Sequence, residues 1–138
     1  MKRIEVVAAI IIRNNRILVV QKGQAKFDYV SFKWEFPGGK VEAGESLEQA
    51  IQREILEELH IQVIPQELLL TVEHQYPDFH LMMHCFICAY EQGEIQLTEH
   101  IRLEWLEPSE LEHLDWAAAD IPAVQKLAEC IKYIELKL

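Results

Sequence analysis

Positive charge is scarce in this sequence. Thirteen lysines and arginines stand against 23 aspartates and glutamates, so the 138-residue chain carries a formal net charge of −10. Such acidity disfavours nonspecific binding to nucleic acid, which needs a positive face for the phosphates, and no nucleic-acid partner is expected. Cysteine is sparse and odd in number (Cys85, Cys88 and Cys130). That set suits a reducing cytoplasm better than a disulfide scaffold. No run of about 18 apolar residues occurs, so no membrane-spanning helix is expected. Internal repeats, low-complexity tracts and linkers are missing too. The opening MKRIEVVAAIIIRNN runs straight into a turn and a second strand-like segment without a cleavage-site pattern, so it is expected as strand rather than signal peptide. A chain of this length hides roughly two-thirds of its unfolded surface, enough for a core without metal or disulfide staples. The expectation is one domain over residues 1–138, cytoplasmic, monomeric or homodimeric, with no membrane partner.

Hydrophobic patterning then orders the elements. Ile4 to Ile12 reads as a strand buried on both faces. Asn14-Asn15 suits a tight hairpin turn, and Ile17 to Gln21 returns as a second strand. Gly23 to Lys33 reads as loop, and Phe36-Pro37-Gly38-Gly39 as a break. A helix is predicted over Leu47 to Leu59, with Ser46 as N-cap and Gln49 completing a capping box. Strands are expected at Leu68 to His74 and His80 to Tyr90 around a Tyr76-Pro77-Asp78 turn, and at Ile101 to Trp105. Pro108 to Leu114 reads as a short helix. The last helix, Ile121 to Leu136, carries Val124, Leu127, Ala128, Ile131 and Ile134 on one face. Strands, helix, strands, helix make an α/β or α+β chain with a mixed sheet between helices.

The informative feature is the first helix. Its stripe of Leu47, Ala50, Ile51, Ile55 and Leu59 turns acidic, because Glu54 and Glu58 lie along it and Glu57 beside it. Buried carboxylates are costly unless paired, and i,i+4 glutamates repel each other. Only Arg53 reaches Glu57 from within the helix. A hard divalent cation with oxygen ligands is the natural compensation. A solvated acidic face is the plainer alternative. The context weighs against it: Gly38 and Gly39 allow close backbone approach, and Glu42 and Glu45 add acids just upstream.

Gly39, five residues, Glu45, seven residues, Arg53-Glu54-Ile55, one residue, Glu57-Glu58, one residue, His60-Ile61 resembles the Nudix box. One position departs, since His60 stands where the family has glycine. That glycine reads as a helix C-cap, so an altered helix end with intact chemistry is expected. The opening, the WEFPGGK segment at Trp34 to Lys40, the Tyr76-Pro77-Asp78 turn and Ala119-Asp120-Ile121-Pro122 resemble the MutT-like branch. The likeness extends over essentially the whole chain.

The resemblance implies an α-β-α sandwich around a central mixed sheet. It also implies hydrolysis of a nucleoside triphosphate to monophosphate and pyrophosphate by water attack within the phosphate chain, of CTP type or oxidised-dGTP type. Mg2+ is the implied cofactor, with Mn2+ as substitute; such ions neutralise phosphate charge and lower the pKa of a bound water. Glu54, Glu57, Glu58 and Glu99 with the Gly38 carbonyl would hold the metal. Glu54 and Glu99 are both candidates for the general base. Glu45 and Arg53 would pair to hold loop against helix, and Lys22 and Lys40 would contact phosphates. Phe36, Phe79 and Asp120 would surround the base, although Asp120 reads equally as an N-cap. MutT itself has arginine where Phe79 stands. Another nucleoside diphosphate derivative, such as a dinucleotide or ADP-ribose, is the alternative substrate. A non-catalytic nucleotide sensor is the alternative class, disfavoured because every box glutamate is kept.

Three other features read as structural. His84-Cys85-x-x-Cys88 lies in a strand-like run, where i and i+3 face opposite ways, so its thiols cannot share a metal. His74, His80, His100 and His113 read as surface or turn residues. Trp34, Trp105 and Trp116 read as packing around the core.

Overall fold

The computed structural model describes residues 2–137, with side chains described as far as residue 130. Seven strands form one sheet: β1 (Lys2–Arg13), β2 (Arg16–Lys22), β3 (Trp34–Glu35), β4 (Gly38–Lys40), β5 (Ile61–Gln75), β6 (Phe79–Gly93) and β7 (His100–Leu106). Among the described residues two α-helices complete the fold, α1 (Leu47–Leu59) and α2 (Ile121–Lys137). Short 3-10 turns at Pro108–His113 and Ala118–Asp120 lead into α2. Among the described residues no helix is long and apolar enough to cross a membrane.

The sheet runs β3-β2-β1-β6-β5, with β4 added to β1 and β7 to β2. β1 and β6 are parallel, from Lys2 opposite Phe79 to Ile12 opposite Ala89; the other pairings are antiparallel. The sheet is therefore mixed. β1 lies inside it, and Val7 to Ile11 are buried on both faces as their unbroken apolar run demands. One face packs Ala50, Ile51, Ile55 and Leu59 of α1 against Val7, Ala9, Leu18 and Phe86. The other packs Ala123, Val124 and Leu127 of α2 against Ala8, Ile10, Val19 and Met83. The result is an α-β-α sandwich. Cys85 faces the α2 side and Cys88 the α1 side, so the two thiols are separated by the sheet. Ile131 and Ile134 lie outside the described side chains.

Local chemistry explains most element ends. Asn14 and Asn15 take φ 53 and 62, making the two-residue turn between β1 and β2. Ser46 and Gln49 form the reciprocal capping box that starts α1. His60 ends α1 in the left-handed region, φ 61 and ψ 27, and its N–H donates to Leu56 O.

Two expectations change. β5 begins at Ile61, directly after α1, rather than at Leu68. The proline that disguises it, Pro65, sits on an edge strand beside a register shift, where a missing N–H is tolerated. The Phe36–Gly39 segment is not wholly a break, because Gly38 and Gly39 belong to β4 and pair with Ala8 and Val7.

A side chain in the left-handed region is strained relative to glycine. Replacing His60 with glycine should raise stability by about 0.5–1 kcal/mol, read as a higher midpoint in thermal denaturation with activity retained.

Candidate active site

β4 explains why two glycines stand together. A Cβ on Gly38 would overlap the Val7 carbonyl oxygen of β1, and a Cβ on Gly39 would overlap the Glu54 carboxylate of α1. Without side chains the strand passes between sheet and helix and brings its backbone against the acidic stripe. The loop from β4 to α1 is then fixed by Arg53. Its Nε donates to Glu45 Oε2 at 2.6 Å and its Nη2 to Glu45 Oε1 at 2.9 Å, a bidentate pair. Nη2 also donates to Lys40 O at 2.9 Å, and Nη1 to Glu54 Oε1 at 2.9 Å and Glu57 Oε2 at 3.4 Å. The guanidinium and the Glu42 N–H pull the Glu45 carboxyl down to about 2.

Glu54, Glu57 and Glu58 share one face of α1, in three different environments. Glu57 is exposed. Glu54 is mostly covered, and burial lifts its pKa despite the pull of Arg53. Glu58 is 5% exposed, and its Oε2 has no hydrogen-bond partner. Burial first, then the charges of Glu99, Glu54 and Glu35, push the Glu58 carboxyl up to about 9. Glu99 is exposed in the loop before β7. Thr98 Oγ1 donates to Glu58 O at 3.0 Å, and Gln96 N donates to Leu59 O at 3.0 Å. Those bonds hold the Glu99 loop to the end of α1.

Two cavities adjoin. The first, about 470 Å³, is acidic: Glu35, Glu42, Glu54, Glu57, Glu58 and Glu99 line it, with Lys22, Lys40, Arg53, Gly38, Gly39 and His100. Among the described residues no group of three or more His, Cys, Asp or Glu side chains is gathered tightly enough to hold a metal ion. The carboxylates share the cavity but stand apart, with Glu54 and Glu57 drawn to Arg53. Their chemistry nevertheless fits a hard divalent cation. Glu58 presents a buried, unpartnered oxygen, its neighbours are oxygen donors of like charge, and the Gly-Gly backbone lines the cavity without side chains.

The second cavity, about 190 Å³, is largely apolar and includes Phe36, Tyr76, Phe79, Met83, Ala119 and Asp120. Phe36 packs on Trp116 with ring centroids 4.8 Å apart, and Phe79 lies 5.0 Å from Tyr76. Tyr29 stacks on Tyr76 at 5.3 Å and donates to Asp78 Oδ2 at 2.7 Å, tying the loop before β3 to the β5–β6 turn. Asp120 lies in the 3-10 turn before α2 and is 5% exposed. Its Oδ1 accepts from Phe36 N at 3.0 Å, so it joins the α2 side to β3 while lining the cavity. Burial, then the charge of Glu35, raises its pKa well above the usual carboxylate range. The two cavities share Lys22, Glu35, Gly38 and Gly39.

The structure thus gathers Glu54, Glu57, Glu58, Glu99, Arg53, Gly38, Lys22 and Lys40 around the acidic cavity, with Glu45 behind Arg53. It places Phe36, Phe79 and Asp120 around the apolar one. Sequence reasoning missed Glu35, His100 and Tyr76. His100 is not a surface residue: it is 9% exposed, and its Nε2 lies 3.0 Å from Glu35 Oε2. The only sequence signal for Glu35 was its place between two buried aromatics, Trp34 and Phe36, where an acid is unexpected.

Residues 2–127 match the family model described as the NUDIX domain. The chain is 39% identical over 125 residues to the CTP pyrophosphohydrolase of Escherichia coli K12, covering 91% of each chain. It is 33% identical over 128 residues to the 8-oxo-dGTP diphosphatase of the same organism, covering 92% of this chain and 98% of that one. The solution structure of the DNA mismatch repair protein MutT, family Nudix hydrolase, from methicillin-resistant Staphylococcus aureus 252 superposes with a TM-score of 0.75. It is 41% identical and covers 94% of this chain and 98% of that one.

Glu58 makes a stability prediction. Its ordinary pKa is 4.5 and its folded value about 9. Between these, the unfolded chain releases a proton that the folded chain keeps, so metal-free stability falls as pH rises. In a chelator, the melting temperature should drop between about pH 6 and about pH 8.5. Glu58→Gln should flatten that slope, and Mg2+ should raise the wild-type midpoint more at the higher pH, where less proton competes for the site. An unchanged slope in Glu58→Gln would count against this account.

Proposed function

The chain belongs to the Nudix family, and on that premise we propose that it hydrolyses nucleoside triphosphates to the monophosphate and pyrophosphate, in the CTP-type or oxidised-dGTP-type manner of nucleotide-pool cleansing. It is a Nudix hydrolase, cutting phosphoanhydride bonds. The observation that carries the triphosphate reading is the pair of adjoining cavities. An acid-lined space that suits a cation-bound polyphosphate opens beside an apolar space that suits a base. The names of the two Escherichia coli relatives point the same way and do not favour a dinucleotide or ADP-ribose.

Glu54, Glu57, Glu58 and Glu99, with the Gly38 carbonyl, would hold Mg2+. Bound there, the ion would offset phosphate charge and acidify water. The chain's own residues do the rest. Arg53 spans Glu45 and Glu54 and so fixes Glu54 relative to β4. Lys22 and Lys40 bring positive charge to a cavity that otherwise repels a polyanion. Glu54 and Glu99 line the same space and are the two candidates for the base that takes the proton from water. Phe36 and Phe79 offer faces for stacking, and Asp120 offers a buried acceptor, or a donor when protonated, to the polar edge of a base.

The test is product analysis with Mg2+ across normal and oxidised nucleoside triphosphates. Monophosphate plus pyrophosphate, abolished by a chelator, is expected. Glu57→Gln should lower kcat by about 100-fold or more, the outer limit for a merely supporting residue, with an unchanged melting profile. Full activity in Glu57→Gln would overturn the metal assignment. Binding without turnover in the wild type would overturn the hydrolytic reading.

A further inference from the structure

The wall between the cavities holds a group with no role so far. Glu35 borders both the acidic and the apolar space. Its side chain is 22% exposed, open enough to meet a ligand. Each carboxylate oxygen has a nitrogen neighbour. His100 Nε2 lies 3.0 Å from Oε2, and because a carboxylate only accepts, the ring donates there. Lys22 Nζ lies 3.8 Å from Oε1. The His100 side chain is 3% exposed, and its Nδ1 is buried without a partner. A polar ring kept in that state has no solvation to gain from its position. What it does is hold Glu35 in one orientation.

A nucleoside triphosphate with its base in the apolar cavity and its phosphates in the acidic one must cross this wall with its sugar. The groups a sugar presents are hydroxyls, which donate, and Glu35 has acceptor lone pairs beyond those used by His100 and Lys22. We infer that Glu35 is the sugar-reading residue of this site, accepting a hydrogen bond from a sugar hydroxyl of the nucleotide, and that His100 is the positioning residue that aims it. This rests on the nucleoside triphosphate reading given above. It also gives a role to the acid that stands between the two buried aromatics Trp34 and Phe36.

The experiment compares kcat/KM for matched ribo-, 2′-deoxy- and 2′,3′-dideoxynucleoside triphosphates in wild type, Glu35→Gln, Glu35→Asp, His100→Ala and His100→Gln. A site built to pair with a hydroxyl rejects the analogue lacking it. The wild type should therefore favour the best hydroxylated substrate over the dideoxy one by about tenfold, the effect of one hydrogen bond to a charged acceptor that water partly replaces. Glu35→Gln should shrink that ratio to about threefold or less, because a neutral amide oxygen accepts more weakly. His100→Ala should shrink it as well, and His100→Gln, which keeps an N–H donor, should restore part of it. A structural role alone would lower all substrates together and leave the ratio in place. Equal ratios in wild type and Glu35→Gln overturn the inference, as does a wild-type ratio near one. Should Glu35→Gln fail to fold, Glu35→Asp, which retracts the carboxylate by one methylene, must show the same collapse of the ratio. If no triphosphate is turned over by the wild type, the hydrolytic reading itself has failed, an outcome distinct from a flat ratio.

Discussion

One guanidinium sets the geometry of this molecule's acidic cavity. Arg53 joins Glu45 in the loop, Lys40 O on β4 and two glutamates on its own helix. The pair with Glu45 is bidentate and partly shielded from solvent, so it is worth more than an ordinary surface bridge. Without it the loop between β4 and α1 would keep the capping box, its own Glu42–Glu45 turn and the bond from Val41 N to Glu5 O, but no tie from the helix's acidic face. Strand, loop and helix meet at this side chain.

The remainder of the site is a managed electrostatic conflict. Glu58 is buried with an unpartnered oxygen, Glu54 is mostly covered, and Glu35 and Asp120 add two more carboxyls within the same field. A single arginine and two lysines do not balance them. Burial and like charge lift the Glu58 and Asp120 carboxyls together, so both favour the protonated form more than a free carboxyl does. Glu54 and Glu57 both turn to Arg53.

Much of this was legible beforehand. α1 began and ended where Ser46, Gln49 and the apolar stripe put it, and the mixed sheet followed from the order of elements. The acidic stripe drew attention because carboxylates on a core-facing line have no cheap explanation. What stayed hidden has a physical reason in each case. β5 was masked by Pro65, whose effect depends on whether a strand is central or at an edge, and that is a property of the assembled sheet. β4 was masked by glycines, which signal irregular backbone and close strand packing alike. His100 and Glu35 are far apart in the chain, and neither residue type announces burial. Their pairing exists only once β7 and β3 both lie against β2.

The parallel register of β1 with β6 has a kinetic side. Lys2 meets Phe79 and Ile12 meets Ala89, so β1 gains its longest partner strand only once β6, far downstream of it, has been made. Non-local pairing of this kind carries a loop-closure cost before any reward and slows folding. Until then, one edge of the apolar run Val6 to Ile12, rich in β-branched residues, stays open, while the other pairs with β4 and β2. The segment that becomes buried on both faces of the native sheet is thus also one open to self-association on the nascent chain. Its flanking charges, Lys2, Arg3 and Glu5 before it and Arg13 after it, are placed where gatekeeper residues work.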